Sequence, residues 1–254
     1  MKTFQIVEQH LFRLIVIISL ALSASLVCAQ TVPDTLDQRL KACTACHGDE
    51  GRATTAGYYP RIAGKPAGYL FNQLKNFQEG KRSYPPMAYL VRHLSEPYLQ
   101  EIAVHFSNQH PPYAAAQNST ASAQQMQRGK RLVQVGDEVQ NIPACIACHG
   151  KNLIGVAPYI PGLLGLPRDY IVAQLGAWQT GSRRTAQPDC MHRIAQRLSA
   201  SDVSAVSAWL AMQNLPAEAS SSTLVAHDDR APLPLECGSV PNAAVSFLPA
   251  GVSK

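Results

Sequence analysis

Cys43-Thr44-Ala45-Cys46-His47 returns later in the chain as Cys145-Ile146-Ala147-Cys148-His149. A Cys-x-x-Cys-His run is typical of the attachment site of a c-type haem. Two thiols one helical turn apart can form thioethers to the two vinyl groups of one porphyrin, and the adjacent histidine binds the iron from the proximal side. The two motifs therefore predict two covalently attached haem c groups.

Two other uses of such cysteines fit less well. A zinc site needs a second Cys/His pair at finger-like spacing near each motif, and none follows. A redox dithiol does not need the histidine twice, and no thioredoxin-like βαβ pattern is present. We therefore assign Cys43, Cys46, Cys145 and Cys148 to haem attachment; His47 and His149 are the predicted proximal iron ligands.

The repeat extends well beyond the two motifs. Residues 60–82 align with residues 161–183, and nine of these 23 positions are identical. Met87 aligns with Met191 in the same order along the chain. Because only two copies occur, this is a tandem domain duplication and not a solenoid.

The periodicity of apolar residues predicts helices in both copies. Pro66 and Pro167 suit the first turn of a helix, and Ser95 and Ser199 suit the N-cap position. No stretch shows sustained strand alternation, so the expected fold class is all-α. The predicted apolar faces are Leu70, Leu74 and Phe77; Ile171, Leu175 and Trp178; Leu99, Ile102, Ala103 and Phe106; and Val203, Val206 and Leu210.

Each iron needs a sixth ligand unless it is left open for chemistry. Met87 lies 40 residues after His47, and Met191 lies 42 residues after His149, which fits a loop methionine in a small haem domain. A methionine sulfur favours reduced iron and raises its potential. Met87 and Met191 are therefore the predicted axial ligands. The competing side chains are His93, His105 and His192, while Met126 and Met212 lack the symmetry and are expected to pack in the core.

Cys190 and Cys237 remain after the haem cysteines and Cys28 are set aside. Cys190 directly precedes Met191, and a thiolate is a good iron ligand. Two spare cysteines in an oxidising compartment would naturally pair with each other and pin the tail to the second domain. The disulfide is the favoured interpretation, and iron binding by Cys190 stays open as the alternative.

Residues 1–29 are predicted to be a signal peptide. The apolar run from Leu14 to Leu26 is shorter than a spanning helix needs, and Val27-Cys28-Ala29 offers small residues for cleavage after Ala29. An uncleaved anchor is the alternative. The remaining chain divides into a first domain at 30–107, a linker at 108–127, a second domain at 128–213 and a tail at 214–254; export predicts a periplasmic protein.

Composition excludes several classes of function. Of the 254 residues 46% are hydrophobic and 15% are charged, with a formal net charge of +5, which argues against a disordered tail protein and against nucleic-acid binding. No Ser-His-Asp arrangement, phosphate loop or flavin fingerprint appears, so no catalytic residue is predicted. Arg82 and Arg183 recur after a glycine; each could pair with a haem propionate, but a solvated arginine at a helix end is the favoured interpretation.

The pattern resembles the dihaem cytochrome c4 family. The resemblance rests on the two Cys-x-x-Cys-His-Gly motifs, on residues 69–82 with their counterparts at 170–183, on Met87 and Met191, and on the Leu-Ser pairs at 94–95 and 198–199. It implies two class-I cytochrome c domains related by a pseudo-twofold axis, and an electron shuttle that donates to terminal oxidases. The chain departs from the pattern at Cys190 and in its long tail.

The leading hypothesis is a periplasmic electron carrier and not an enzyme. Its expected partners are a redox donor and acceptor, such as a quinol-oxidising complex and a terminal oxidase, with transient docking to membrane complexes. The rival hypothesis is a haem subunit of a periplasmic dehydrogenase or sulfur-oxidising enzyme with one reactive haem. Cys190 is the residue that supports this rival.

Overall fold

The computed structural model describes His10 and residues 12–18, 33–55, 58–215 and 232–241. Two compact units are distinguished, Met1–Arg39 and Leu40–Lys254, and the second contains both Cys-x-x-Cys-His motifs. The predicted cleavage site after Ala29 lies outside the described residues. In the described part of the chain, no helix has both the length and the apolar character needed to cross a membrane.

The first repeat is helical, as predicted. Its α-helices are α1 (Leu36–His47), α2 (Ala67–Gln78), α3 (Pro85–Val91) and α4 (Glu96–Ser107), with a 3₁₀ turn at Asp49–Gly51. Pro66 is the N-cap of α2, so this proline lies just before the first turn and not in it. Its fixed φ and missing N–H suit that boundary, because the chain is still extended there.

The second repeat follows the same order, but its Cys-x-x-Cys-His motif lies at a separate short helix and two small strand pairs are added. Its helices are α5 (Ala123–Gln134), α6 (Ile146–His149), α7 (Arg168–Gln179), α8 (Cys190–Ala195) and α9 (Ala200–Ala211). Two antiparallel pairs of two-residue strands join them: β1 (Gly136–Asp137) with β2 (Ile142–Pro143), and β3 (Gly155–Val156) with β4 (Ile160–Pro161). Pro167 is the N-cap of α7, again one residue before the predicted position.

The predicted apolar faces form the cores of the two repeats. Every residue of those faces is buried except Leu74, which is half-buried. In the second repeat they meet side chains from the loops and the short strands. That cluster consists of Leu132, Val133, Ile142, Leu153, Leu164, Ile171, Leu175, Leu198, Val203, Val206 and Leu210.

Helices α5 and α9 of the second repeat approach each other closely at Gly129. A Cβ atom at this position would overlap the carbonyl of Ala205 and lie 2.8 Å from the Cβ of Trp209. Glycine therefore lets the two backbones pack directly against each other.

The predicted N-caps differ in their chemistry. Ser199 forms a full capping box with Asp202, because each side chain accepts a hydrogen bond from the other residue's backbone N–H. Ser95 occupies the N-cap of α4, but its side chain makes no capping hydrogen bond.

The two repeats meet through a short antiparallel contact. Arg82 and Arg183 form a β-bridge, the backbone N–H of Ser83 donates to Ser182 O at 3.0 Å, and that of Arg184 donates to Lys81 O at 2.6 Å. Equivalent residues of the two copies face each other here. The contact therefore lies on the pseudo-twofold axis that relates the domains.

The segment predicted as a linker lies against the first domain. Arg61 donates to the carbonyls of Pro111 and Pro112 at 2.6 and 3.1 Å, and its guanidinium lies 3.7 Å from the ring centroid of Tyr113. Helix α5 begins at Ala123, inside the predicted linker range. The domain limits at 30–107 and 128–213 stay predictions.

Part of the tail is attached to the second domain. Cys190 and Cys237 form a disulfide with a Cα–Cα distance of 5.1 Å. Cys237 and Val240 are buried against Val156 and Ile160. The structure thus favours the paired cysteines over an iron-binding Cys190, because a sulfur in a disulfide offers no thiolate.

Candidate haem sites

Each pair of motif cysteines lies on one turn of helix. Cys43 and Cys46 belong to the last turns of α1, while Cys145 caps α6 and Cys148 lies within it. None of the four is in a disulfide. The helical geometry sets the two sulfurs of each pair on the same side, as attachment to one porphyrin requires.

Burial disfavours the thiolate form of the first cysteine of each motif. It raises the pKa of Cys43 to about 11 and that of Cys145 to about 12, and the partner cysteine of each motif adds to the shift. A thioether carries no charge, so covalent attachment to a haem suits this environment better than a zinc thiolate does. Among the described residues, no group of three or more His, Cys, Asp and Glu side chains is arranged to hold a metal ion.

His47 and His149 are buried and held in the same way. Nδ1 of His47 donates to the carbonyl of Pro60 at 2.9 Å, and Nδ1 of His149 donates to that of Pro161 at 2.8 Å. Since a carbonyl can only accept, the proton is on Nδ1 and the lone pair of each imidazole is on Nε2. This is the tautomer of a histidine that binds iron through Nε2.

Burial favours the neutral form of both imidazoles. Burial lowers the pKa of His47 and that of His149, which outweighs the opposing effect of the hydrogen bonds to the prolines. Positive charges lower both pKa values further, from Arg82 at His47 and from Lys65 at His149. Because a ligand histidine must be unprotonated, both residues fit a haem iron.

Met87 and Met191 occupy equivalent short helices. Met87 is in α3 and Met191 is in α8, and both are half-buried. Met126 lies half-buried within α5. Met212 caps α9 and is 38% exposed, so the expectation that it packs in the core was wrong. The axial ligation by Met87 and Met191 stays a prediction, which rests on this matched position.

Two glutamines fix the ends of the methionine helices. Nε2 of Gln78 donates to the carbonyls of Val91 and Leu94 at 3.0 and 2.9 Å. Nε2 of Gln179 donates to those of Ala195 and Leu198 at 2.9 and 2.8 Å. The two glutamines are one of the nine identical pairs of the repeat, and this identity was the available signal in the sequence, although it assigned them no role.

The three histidines that compete with the methionines as iron ligands do not occupy matched positions in the two repeats. Nδ1 of His192 donates to the carbonyl of Trp178 at 2.9 Å. His105 lies 3.4 Å from the Gln109 amide, and His93 is exposed. With Cys190 in a disulfide, Met87 and Met191 remain the best-matched pair.

The interpretation of Arg82 and Arg183 as solvated arginines was wrong. Arg183 is only 4% exposed, and its guanidinium lies 3.8 Å from the ring centroid of Trp178. Arg82 donates to Gln174 Oε1 at 2.8 Å, and Arg183 donates to Gln73 Oε1 at 2.8 Å. These reciprocal bonds cross the domain boundary, so the arginines join the two repeats.

Two tyrosines complete this polar network. Arg82 donates to Tyr170 Oη at 2.9 Å, and Arg183 donates to Tyr69 Oη at 3.4 Å. Behind Tyr69, a Cβ atom on Gly68 would overlap the ring of Tyr159 from the second domain. The close approach at Gly68 lets the domains meet without a gap.

Comparison with known proteins agrees with this geometry. A thiosulfate dehydrogenase electron acceptor from Thiomonas intermedia is 38% identical over 181 residues, which cover 71% of this chain and 82% of that protein. Cytochrome c4 from Pseudomonas aeruginosa is 31% identical over 170 residues, covering 66% of this chain and 82% of that protein. The chain belongs to the dihaem cytochrome c4 family.

The solved structures give the same assignment. Reduced recombinant cytochrome c4 from Pseudomonas stutzeri matches with a TM-score of 0.60 and 28% identity, over 70% of this chain and 96% of that one. No family model matches the chain. As a member of the cytochrome c4 family, the protein has two tandem class-I cytochrome c domains, carries two covalently bound haem c groups and transfers electrons.

Proposed function

We propose that the protein is a periplasmic electron carrier in which His47 and Met87 bind the first haem iron, and His149 and Met191 bind the second. Cys43 and Cys46 form the thioethers of the first haem, and Cys145 and Cys148 those of the second. The observation that carries this proposal is the contact of Nδ1 of each buried histidine with a proline carbonyl, which leaves Nε2 for iron. Cleavage of residues 1–29 on export belongs to the same proposal.

Each haem supplies a reversible one-electron change between Fe(III) and Fe(II). The chain's part is to hold both axial positions closed with little movement between the two states. Gln78 and Gln179 serve this purpose, because they tie the ends of the methionine helices to the helices before them. With both positions filled no substrate reaches the iron, so the protein acts as a carrier and has no catalytic residue.

The arginine network fits the acidic edge of a haem. Within the described residues, Nε of Arg183 is buried without a hydrogen-bond partner. A donor left unpaired in the interior is costly unless an acceptor is supplied. A haem propionate is a suitable acceptor, and the guanidinium would then link a haem to the domain boundary.

Thiosulfate dehydrogenase is the donor that we propose, with a terminal oxidase as the acceptor. The support is the 38% identical relative from Thiomonas intermedia, which is named as the electron acceptor of that enzyme. The attached tail segment 232–241 adds surface beside the second domain. Docking in a carrier is expected to be weak and transient, since the same surface must be released after each transfer.

The test mixes the purified dihaem protein with thiosulfate dehydrogenase and thiosulfate under anaerobic conditions. Haem reduction is followed by absorption, with omission of the enzyme as the control. The proposal expects rapid reduction of both haems only in the complete mixture. Reduction by thiosulfate alone would instead indicate a reactive haem in this chain and support the enzyme hypothesis.

A further inference from the structure

Lys65 of the first domain is buried at the second domain's histidine loop. Its side chain is among the buried residues at 5% exposure, and Nζ donates to the carbonyl of Gly162 at 2.8 Å. Gly162 directly follows Pro161, whose carbonyl accepts the hydrogen bond from His149. The ammonium group thus lies one peptide unit from the group that orients the second haem's proposed ligand.

This charge has no carboxylate to neutralise it in the described part of the chain. The salt bridges found there involve other lysines and arginines, and the bonded partner of Lys65 is a neutral carbonyl. Its field reaches the proximal side of the second site, because the Gly162 carbonyl that it binds is adjacent in the chain to the Pro161 carbonyl that binds His149. In a buried setting such a charge acts over several ångströms with little screening.

The first site has no counterpart to Lys65. In the repeat alignment Lys65 corresponds to Leu166, between the matched pairs Gly64/Gly165 and Pro66/Pro167. Leu166 packs against the apolar core of the second domain. At the first site the positive charge that acts on His47 comes from Arg82 of the same domain. Lys65 differs because it reaches the second site from the other domain and has no counterpart in the repeat.

We propose that Lys65 acts across the domain boundary and raises the reduction potential of the iron at His149, but not that of the iron at His47. The effect comes from its buried ammonium group, which donates a hydrogen bond to the Gly162 carbonyl. The physical reason is that a fixed positive charge stabilises the more electron-rich Fe(II) state. An electron is then drawn towards the second haem. The inference rests on the proposed assignment of the haem ligands.

The experiment is a redox titration of the intact dihaem protein, followed by NMR so that the midpoint potential of each haem is measured separately. Signals are assigned to each haem by comparison with a Met87→His variant. The measurement is made at pH 6, because burial, with a further effect of Arg61, lowers the pKa of Lys65 to about 7 and the group must carry its charge. Lys65→Gln removes the charge but keeps an N–H donor for Gly162, whereas Lys65→Arg keeps the charge.

Lys151→Gln is the matched control. Lys151 is exposed and lies two residues after His149, so its loss removes the same charge from a solvated position near the same haem. The proposal expects Lys65→Gln to lower the reduced-to-oxidised ratio of the second haem severalfold at a fixed potential. The first haem, Lys65→Arg and Lys151→Gln are expected to stay near the wild-type values.

Three results would overturn the proposal: no shift in Lys65→Gln, a shift of the first haem, or equal shifts in the glutamine and arginine variants. The last result would assign the effect to packing. Haem content and carbon monoxide binding of the wild-type protein are measured alongside. If the wild type has fewer than two haems or binds carbon monoxide, the ligand assignment fails together with this inference; a closed dihaem protein with unchanged potentials refutes Lys65 alone.

Discussion

Replacing Cys190 and Cys237 together by alanine removes the disulfide that attaches the tail to the second domain. The two cysteines are 47 residues apart in sequence. In the chain-entropy description a link across a loop of this length stabilises the folded protein by about 4 kcal/mol, because it restricts the unfolded chain. The double variant avoids leaving a single free thiol beside Met191.

The assay is denaturant unfolding of the oxidised dihaem protein, followed by circular dichroism and by absorption of the haems. We expect the free energy of unfolding to fall by about 2 to 4 kcal/mol. The charge-transfer band of the methionine-bound second haem should weaken first, since Cys190 begins the helix that carries Met191. Val240→Ala is the matched control, because it reduces packing of the same segment without cutting the link. A double variant as stable as the wild type would refute this account of the tail.

Four further changes test the sites, the domain boundary and the capping box at Asp202. Met191→Ala should open the iron of the second haem to carbon monoxide and leave that of the first closed. Met87→Ala should open the first and leave the second closed. An unchanged spectrum in either variant would exclude that methionine as a ligand. Arg183→Ala should lower the free energy of unfolding by about 2 to 3 kcal/mol, because it removes buried hydrogen bonds from a charged group. Calorimetry should then show the two domains unfolding separately, and a single unchanged transition would contradict this. Burial acts to raise the pKa of Asp202, but hydrogen bonds from Arg128 and Ser199 outweigh it and hold the pKa below its usual value. Its stabilising effect is therefore present above the ordinary pKa of about 4 and is lost as the pH falls through the lower folded value. Asp202→Asn should cost about 2 kcal/mol at pH 7 and flatten this acid dependence, and equal acid profiles for both proteins would speak against it.

The sequence predicted most of the fold, because the repeat and the helical periodicity are both strong signals. The identical pairs were especially informative. Pro60 and Pro161 supply the carbonyls that orient the histidines, and Gln78 and Gln179 secure the methionine helices. Identity between copies marked these positions, although it did not reveal what each side chain binds.

The domain boundary was harder to predict from the sequence. Arg82 and Arg183 follow a glycine at a helix end, where an arginine is usually solvated. Their burial depends on the second copy, which brings Gln174 to Arg82 and Gln73 to Arg183. Such contacts join residues about a hundred positions apart, and no local pattern encodes them.

The burial of Lys65 could not be predicted from the local sequence either. A lysine before a helix-capping proline is typical of an exposed turn, and its burial follows only from the position of the loop at Gly162. The Cys190–Cys237 pairing was favoured by the sequence but left open for a related reason. Counting cysteines indicated the pair, but only the folded chain brings the two Cα atoms to 5.1 Å.

The central claim is that two haems are bound per chain with both irons closed by histidine and methionine. The direct measurement is haem content per chain, followed by the absorption spectrum of the reduced protein before and after carbon monoxide is added. The account predicts two haems per chain and an unchanged spectrum, because neither iron offers a free position. Rapid carbon monoxide binding at one haem of the wild-type protein would contradict it and indicate a reactive iron.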